Sequence, residues 1–114
     1  MNILDNFFGK RKRLKELIAN LYDDNHDVRK AAAKELDELG WQPDRDETGA
    51  AYWVAKKEWG KCVQIGAPAV RLLLDSLESK DTWPRDQEEI IRTLGDIGSP
   101  QAVETLVAAL NDDS

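Results

Sequence analysis

The chain has 114 residues, of which 41% are hydrophobic and 33% are charged, and its formal net charge is −6. That length suits one domain with its own core, and the composition argues against a disordered chain. Its one cysteine, Cys62, excludes an internal disulfide, and no apolar run reaches the roughly 20 residues that span a bilayer. The start, MNILDNFF, does not match a signal peptide, so we expect a cytoplasmic protein.

The charge is distributed unevenly along the chain. Residues 1–15 contain five basic residues against Asp5, a net charge of +4, so the rest of the chain carries −10. An acidic body argues against general nucleic-acid binding, which needs a positive surface. Phe7 and Phe8 beside the basic cluster suggest contact with an anionic membrane or with an acidic partner. We favour a capping role for them, because one short basic cluster gives only marginal membrane affinity.

The first predicted helix has an apolar stripe at helical spacing. Its members are Leu14, Leu17, Ile18 and Leu21. The basic run at 10–13 would meet the positive end of this helix's dipole, which is unfavourable. Either residues 1–12 form a basic lead before the helix, or the helix begins earlier, at Asp5 or Asn6.

The second predicted helix runs from Asp27, as its N-cap, to Leu39, and it ends before Gly40. Its apolar positions are Val28, Ala31, Ala32, Leu36 and Leu39. Arg29 follows the turn that precedes this helix. We expect its guanidinium to bind turn carbonyls or a neighbouring acid, since it presents several donors in a fixed fork.

Residues 41–65 form a predicted insertion. The stretch WQPDRDE contains Pro43 and three acids, which favours a loop. One helix is then predicted from about Thr48 to Gln64. Its expected inward positions are Tyr52, Ala55, Trp59 and Val63.

Two similar phrases follow, IGAPAVRLLLDSL from Ile65 and IGSPQAVETLVAAL from Ile97. In each phrase, the glycine at the second position suits the end of one helix, and the proline two residues later suits the first turn of the next. The matching apolar positions are Ala69, Val70, Leu73, Leu74 and Leu77 in the first phrase and Ala102, Val103, Leu106, Val107 and Leu110 in the second. The segment between them predicts a helix with Ile90, Ile91, Leu94 and Ile97 facing inward. No further helix follows the last one in this sequence, so we expect it to be a cap, or its exposed flank to be covered by another subunit, as in self-association, or by further sequence.

These segments resemble the HEAT-like repeat family, including the bilin-lyase (PBS lyase) type. Its first motif is met by Asp24, Val28, Arg29, Ala32, Leu36 and Gly40, and its second by Pro68, Ala69, Val70, Leu73 and Leu77. The resemblance covers about residues 13–40 and 66–111, with TWPRDQEE departing from the pattern. It implies an all-α fold: a short right-handed α-solenoid of about six helices, with residues 1–114 as one repeat domain.

Nothing in the sequence predicts catalysis, a cofactor or a metal site. His26 stands among acidic residues in a turn, but their spacing matches no metal-binding loop, and carboxylates suit the start of a helix. Cys62 has no catalytic setting, so we expect a buried thiol. The chain also lacks a nucleophile elbow, a phosphate-binding glycine loop and a CxxC motif.

The resemblance implies a protein-binding scaffold in which the second helix of each hairpin lines the binding face. The expected partner-binding residues are Lys30, Lys34, Asp37, Arg92 and Asp96, with Trp83 at the rim. Trp41 and Trp83 adjoin prolines or helix starts, so each could pack as a hydrophobic staple or anchor a partner. Two alternatives stay open: an accessory role in bilin attachment, implied by the family alone, and nucleic-acid binding through the basic N-terminus.

Overall fold

The computed structural model describes residues 3–79, 82–101, 103, 104, 107 and 108, with side chains from residue 9 onward. The described residues contain six α-helices and no strand. The helices are α1 (Ile3–Asn20), α2 (His26–Glu38), α3 (Glu47–Ala55), α4 (Trp59–Ile65), α5 (Ala67–Glu78) and α6 (Pro84–Ile97). The prediction of an all-α fold is therefore confirmed.

The chain divides into two compact units, Met1–Gln42 and Pro43–Ser114. In the first unit α1 packs against α2. Its buried apolar side chains are Leu17, Leu21, Ala32, Ala33 and Leu36. Each buried leucine contributes about 1.5–3 kcal/mol relative to an exposed one, so a few such residues hold this hairpin together. Leu14 and Ile18, predicted on the same stripe, are half-buried.

α1 begins at Ile3, well before the basic run at 10–13. The predicted basic lead over residues 1–12 is therefore helical from Ile3 onward, and the alternative of an earlier helix start, predicted at Asp5 or Asn6, is confirmed. The basic residues lie in the middle of the helix, away from the positive end of its dipole. The side chains of Phe7 and Phe8, to which a capping role was assigned, lie outside the described residues.

The N-cap of α2 lies two residues earlier than predicted. It is Asn25, not Asp27: the Asn25 side chain accepts hydrogen bonds from the backbone N–H groups of Asp27 (2.8 Å) and Val28 (3.4 Å). Asp27 instead lies in the first helical turn, where its negative charge interacts favourably with the positive end of the helix dipole. Ala31, predicted to face inward, is exposed, because the buried side of α2 is centred on Ala32, Ala33 and Leu36.

The inserted segment is two helices, so the prediction of one helix from Thr48 to Gln64 is wrong. Two hydrogen bonds end α3, from Lys57 N–H to the Val54 carbonyl (3.0 Å) and from Glu58 N–H to the Trp53 carbonyl (2.9 Å). This is the Schellman arrangement, with Lys57 in the left-handed position at φ 59°. The break moves the buried position of α4 to Cys62, and leaves Trp59 and Val63 half-buried.

In the second unit α5 packs against α3 and α6, while α4 packs against α3, α5 and α6. The buried apolar residues are Ala50, Ala51, Tyr52, Val54, Ala55, Cys62, Ala69, Val70, Leu72, Leu73, Ile90 and Leu94. Pro68 lies in the first turn of α5, as predicted, and Gly98 ends α6 in the left-handed conformation at φ 68°. Leu74 and Leu77 are half-buried.

α6 begins at Pro84, and its inward side carries Ile90 and Leu94. Ile91, also predicted to face inward, is 45% exposed. Adjacent helical residues are about 100° apart, so both isoleucines cannot lie at the centre of one face. Of the last predicted helix, the backbone is helical at residues 100, 101, 103, 104, 107 and 108, where Val103 and Val107 are half exposed. Ala102, Leu106 and Leu110 lie outside the described residues.

Candidate partner-binding surfaces

Hydrogen bonds in the turn before α2 hold the start of this helix, which carries the first candidate surface, in place. Arg29 donates from Nη1 to the backbone carbonyls of Asp23 (2.6 Å) and Asp24 (3.0 Å), so the prediction that it binds turn carbonyls is confirmed. Asp23 in turn accepts from the backbone N–H of Asn25 at 2.8 Å. Arg29 and Asn25 therefore satisfy polar groups that the α1–α2 turn would otherwise leave unpaired.

The exposed side of α2 carries Lys30, Lys34 and Asp37. Their spacing of four and three residues places them in one row along the helix. No ion pair of the described residues involves Lys30 or Lys34. This α2 surface therefore presents two ammonium groups followed by a carboxylate, all open to solvent.

The second candidate surface lies on α6. Arg92 and Asp96 are both exposed and are one turn apart, so they share a side of the helix. Arg92 Nη1 lies 3.8 Å from Glu89 Oε1, and 73% of the arginine side chain is exposed. A distance of that size between exposed groups leaves Arg92 available to a stronger partner.

Trp83 stands at the other end of α6, at its N-cap position. Its exposed fraction is 73%, which is too large for a hydrophobic staple packed on its own helix. Arg92 lies nine residues further on, about 13 Å along the helix axis. Trp83 therefore lies at the start of α6, apart from the surface that Arg92 and Asp96 form. Trp41, for which the same alternatives were open, is half-buried.

The three candidates for chemistry in the sequence were a metal cluster, Cys62 and His26. No group of three or more His, Cys, Asp or Glu side chains among the described residues could hold a metal ion. Cys62 is fully buried in α4, and its desolvation raises the pKa of the thiol to about 12, so it stays protonated and unreactive at neutral pH. His26 is the first residue of α2 and is half-buried.

The basic residues of α1 differ in whether they pair with acidic residues. Arg13 donates to Glu35 of α2 through Nε at 3.1 Å and also through Nη2, and it lies 3.3 Å from Glu16. These bonds raise the pKa of Arg13. Among the described side chains, no ion pair involves Lys10, Arg11, Lys12 or Lys15, and all four are exposed. None of the described helices is long and apolar enough to cross a membrane.

Sequence reasoning missed a group of residues around the break between α3 and α4. Lys57 pairs with Asp86 of α6 at 2.7 Å, and the ammonium groups of Lys56 and Lys61 lie 5.7 and 5.6 Å from the centre of the Trp53 ring. The clustered lysines and the nearby tryptophan were visible in the sequence. Only the break in the helix brings them together.

Amphipathic helices that pack against their neighbours through buried apolar sides, with exposed charges on α2 and α6, define a helical-repeat protein. A family model of HEAT repeats matches residues 14–114. The chain therefore belongs to the HEAT repeat family. No curated protein and no solved structure matches it.

Proposed function

We propose that this chain is a non-catalytic scaffold that binds another protein through the exposed sides of α2 and α6. The observation that carries the proposal is the contrast between the two sides of each helix. Ala32, Ala33 and Leu36 are buried on α2, while Lys30 and Lys34 are exposed and pair with no acidic residue that the structure describes. HEAT repeats generally act as protein-interaction scaffolds, and a polar surface of mixed charge suits a specific protein partner.

The α2 surface determines the kind of partner. Two lysines one turn apart attract carboxylates, and Asp37 adjoining them would repel a partner that is acidic along its whole length. The partner should therefore present acidic groups opposite the lysines and a basic or neutral group opposite Asp37. Trp83, Arg92 and Asp96 supply a second contact region on α6, with the aromatic and arginine side chains that are enriched at interfaces.

A charge-reversal experiment tests this proposal. The double variant Lys30→Glu/Lys34→Glu and the wild type are used as bait in a lysate of the source organism, and the retained proteins are compared. We expect a specific protein to be retained by the wild type and lost from the variant, since attraction becomes repulsion. The thermal unfolding curve should be almost unchanged, because both lysines are exposed.

The matched control is Lys12→Glu/Lys15→Glu, which changes the net charge equally on the exposed side of α1. Retention by this control together with loss from the α2 variant supports the α2 surface. Equal loss from both variants would show that overall charge is responsible. Loss of the cooperative helical transition in the α2 variant would contradict the assignment of the two lysines to a binding surface. The role in bilin attachment stays a prediction that rests on family resemblance alone.

A further inference from the structure

The exposed side of α6 combines a projecting apolar residue, a gap and two opposite charges. We call it the α6 outer face. Its members are Ile91, Arg92, Gly95 and Asp96, all of them exposed. Ile90 and Leu94, which are buried in the second unit, lie on the other side of the same helix.

Gly95 has open space beside it in the described part of the chain. It lies in the interior of α6, where glycine is less favourable than alanine, and no described atom outside its own helix lies within 4 Å of the place where a Cβ would be. The backbone there is left bare and open to the close approach of another helix. Ile91, one turn earlier, is 45% exposed and provides an apolar side chain of the size that would fill such a gap.

The arrangement is complementary to itself. Consider two copies of α6 packed antiparallel about a two-fold axis that passes between residues 93 and 94. Residue 91 of each copy then lies opposite a position next to residue 95 of the other copy. The same pairing places residue 92 of each copy within one residue of residue 96 of the other. Ile91 then covers Gly95, and Arg92 meets Asp96, twice over, as an isologous contact requires.

We propose that the α6 outer face binds the α6 outer face of a second copy of this chain. The inference rests on the proposed function, because Arg92 and Asp96 belong to the surface assigned there to protein binding. A second copy fits because each feature of the face finds its complement on the same face: the isoleucine meets the glycine, and the arginine meets the aspartate. A contact of one helix pair is smaller than a standard protein interface, so the dimer should be weak, with a dissociation constant in the micromolar range or above.

Charge reversal tests the pairing in both directions. Sedimentation velocity of the wild type over a range of concentrations should show a reversible monomer–dimer equilibrium. Arg92→Glu and Asp96→Arg should each weaken it at least tenfold, since each creates two like-charge contacts. An equimolar mixture of the two variants should restore dimers. In the mixed pair the introduced glutamate faces the introduced arginine, and the native Asp96 of one variant faces the native Arg92 of the other.

The glycine is tested by filling the gap. Gly95→Leu should abolish the dimer, because the added side chain holds the helices apart. Gly60→Leu is the matched control, since Gly60 is also an exposed helical glycine with open space around it, and it should leave the dimer intact. Circular dichroism of each variant confirms that the helices have formed. Should Gly95→Leu prove unfolded, the mixing experiment with the two charge variants still decides.

The proposal is overturned if the wild type remains monomeric at millimolar concentration, if the mixed charge variants fail to associate, or if Gly95→Leu dimerises like the wild type. Failure here is separable from failure of the proposed function. The Lys30→Glu/Lys34→Glu variant should dimerise normally while losing its partner. A monomeric wild type that still retains its partner would contradict only the α6 pairing.

Discussion

The buried thiol of Cys62 makes the stability of the folded chain depend on pH in the alkaline range. The thiol has an ordinary pKa of 9.0, which burial raises to about 12 in the folded chain. Between these values the unfolded chain has lost the thiol proton while the folded chain retains it. The free energy of unfolding therefore falls as the pH rises from 9 towards 12, and Cys62 has no such effect below pH 9.

We predict that replacing Cys62 with alanine reduces this sensitivity to alkali. Urea unfolding of the wild type and of Cys62→Ala at pH 8 and at pH 10.5 measures the effect. The wild type should lose about 1–2 kcal/mol more than the variant between the two conditions, since each pH unit in the window changes the free energy by up to about 1.4 kcal/mol. Lysine and tyrosine titrations occur in both proteins and cancel in the comparison. Equal losses in the two proteins would contradict burial as the cause of the shift.

Lys57 shows why a helix boundary can escape sequence reasoning. Glycine is the usual residue in the left-handed position that ends a helix, and Gly40 and Gly98 occupy it at the ends of α2 and α6. The sequence signals both of those ends. At the end of α3 the position is taken by a lysine, at a cost of about 1–2 kcal/mol, and its ion pair with Asp86 offsets part of that cost. The break therefore depends on a contact with a helix that lies far along the chain.

At the scale of the helices, the helical glycines Gly49, Gly60 and Gly95 differ in what surrounds them. A Cβ on Gly49 would collide with the backbone carbonyl of Asp44, in the loop that folds back over the start of α3. The N-cap residue Asp46 holds this loop in place by accepting from the Gly49 N–H at 2.8 Å. Gly60 and Gly95 have open space around them.

We predict opposite effects for the same substitution at two of these sites. Gly49→Ala should destabilise the chain by about 1–3 kcal/mol, because either the loop or α3 must move. Gly60→Ala should be neutral or stabilising by up to about 1 kcal/mol, because it improves helix propensity without a new contact. Thermal unfolding followed by circular dichroism should show a lowered midpoint for the first variant only. A similar midpoint shift in both variants would mean that the loop at Asp44 moves away from a Cβ on Gly49 with little loss of stability.

The sequence predicted most of the packed sides of the helices and much of the candidate site. Leu17, Leu21, Leu36, Leu73 and Leu94 were all placed inside, since spacing at three and four residues reports the buried side of a helix directly. The exposure of Lys30, Lys34, Arg92 and Asp96 was predicted in the same way. The prediction that Ile91 faces inward was wrong because both Ile90 and Ile91 fit the spacing of the inward stripe. Only the packing of α6 decides which of the two is buried.

At the scale of the whole molecule, the N-terminal part of the chain is basic and the rest is acidic. The net charge of +4 in residues 1–15 is followed by −10 in the rest of the chain. Arg13 is already engaged by Glu16 and Glu35. On the described part of α1, no more than four exposed cations are therefore left to meet an anion: Lys10, Arg11, Lys12 and Lys15. At physiological ionic strength each acts over about 8 Å, so distant acidic groups oppose them only weakly.

We therefore predict weak, strongly salt-dependent binding to nucleic acid. Fluorescence anisotropy with a short DNA duplex should show little binding at about 0.15 M salt. Any binding at lower salt should have a log–log slope no steeper than about −3.6, the value for four neutralised phosphates. Lys12→Gln/Lys15→Gln should reduce the slope by about half, whereas Arg13→Gln should leave it unchanged, because Glu16 and Glu35 already hold that guanidinium. Micromolar binding at about 0.15 M salt, or equal loss in both variants, would make the N-terminal helix a nucleic-acid site rather than an exposed basic surface on an acidic scaffold.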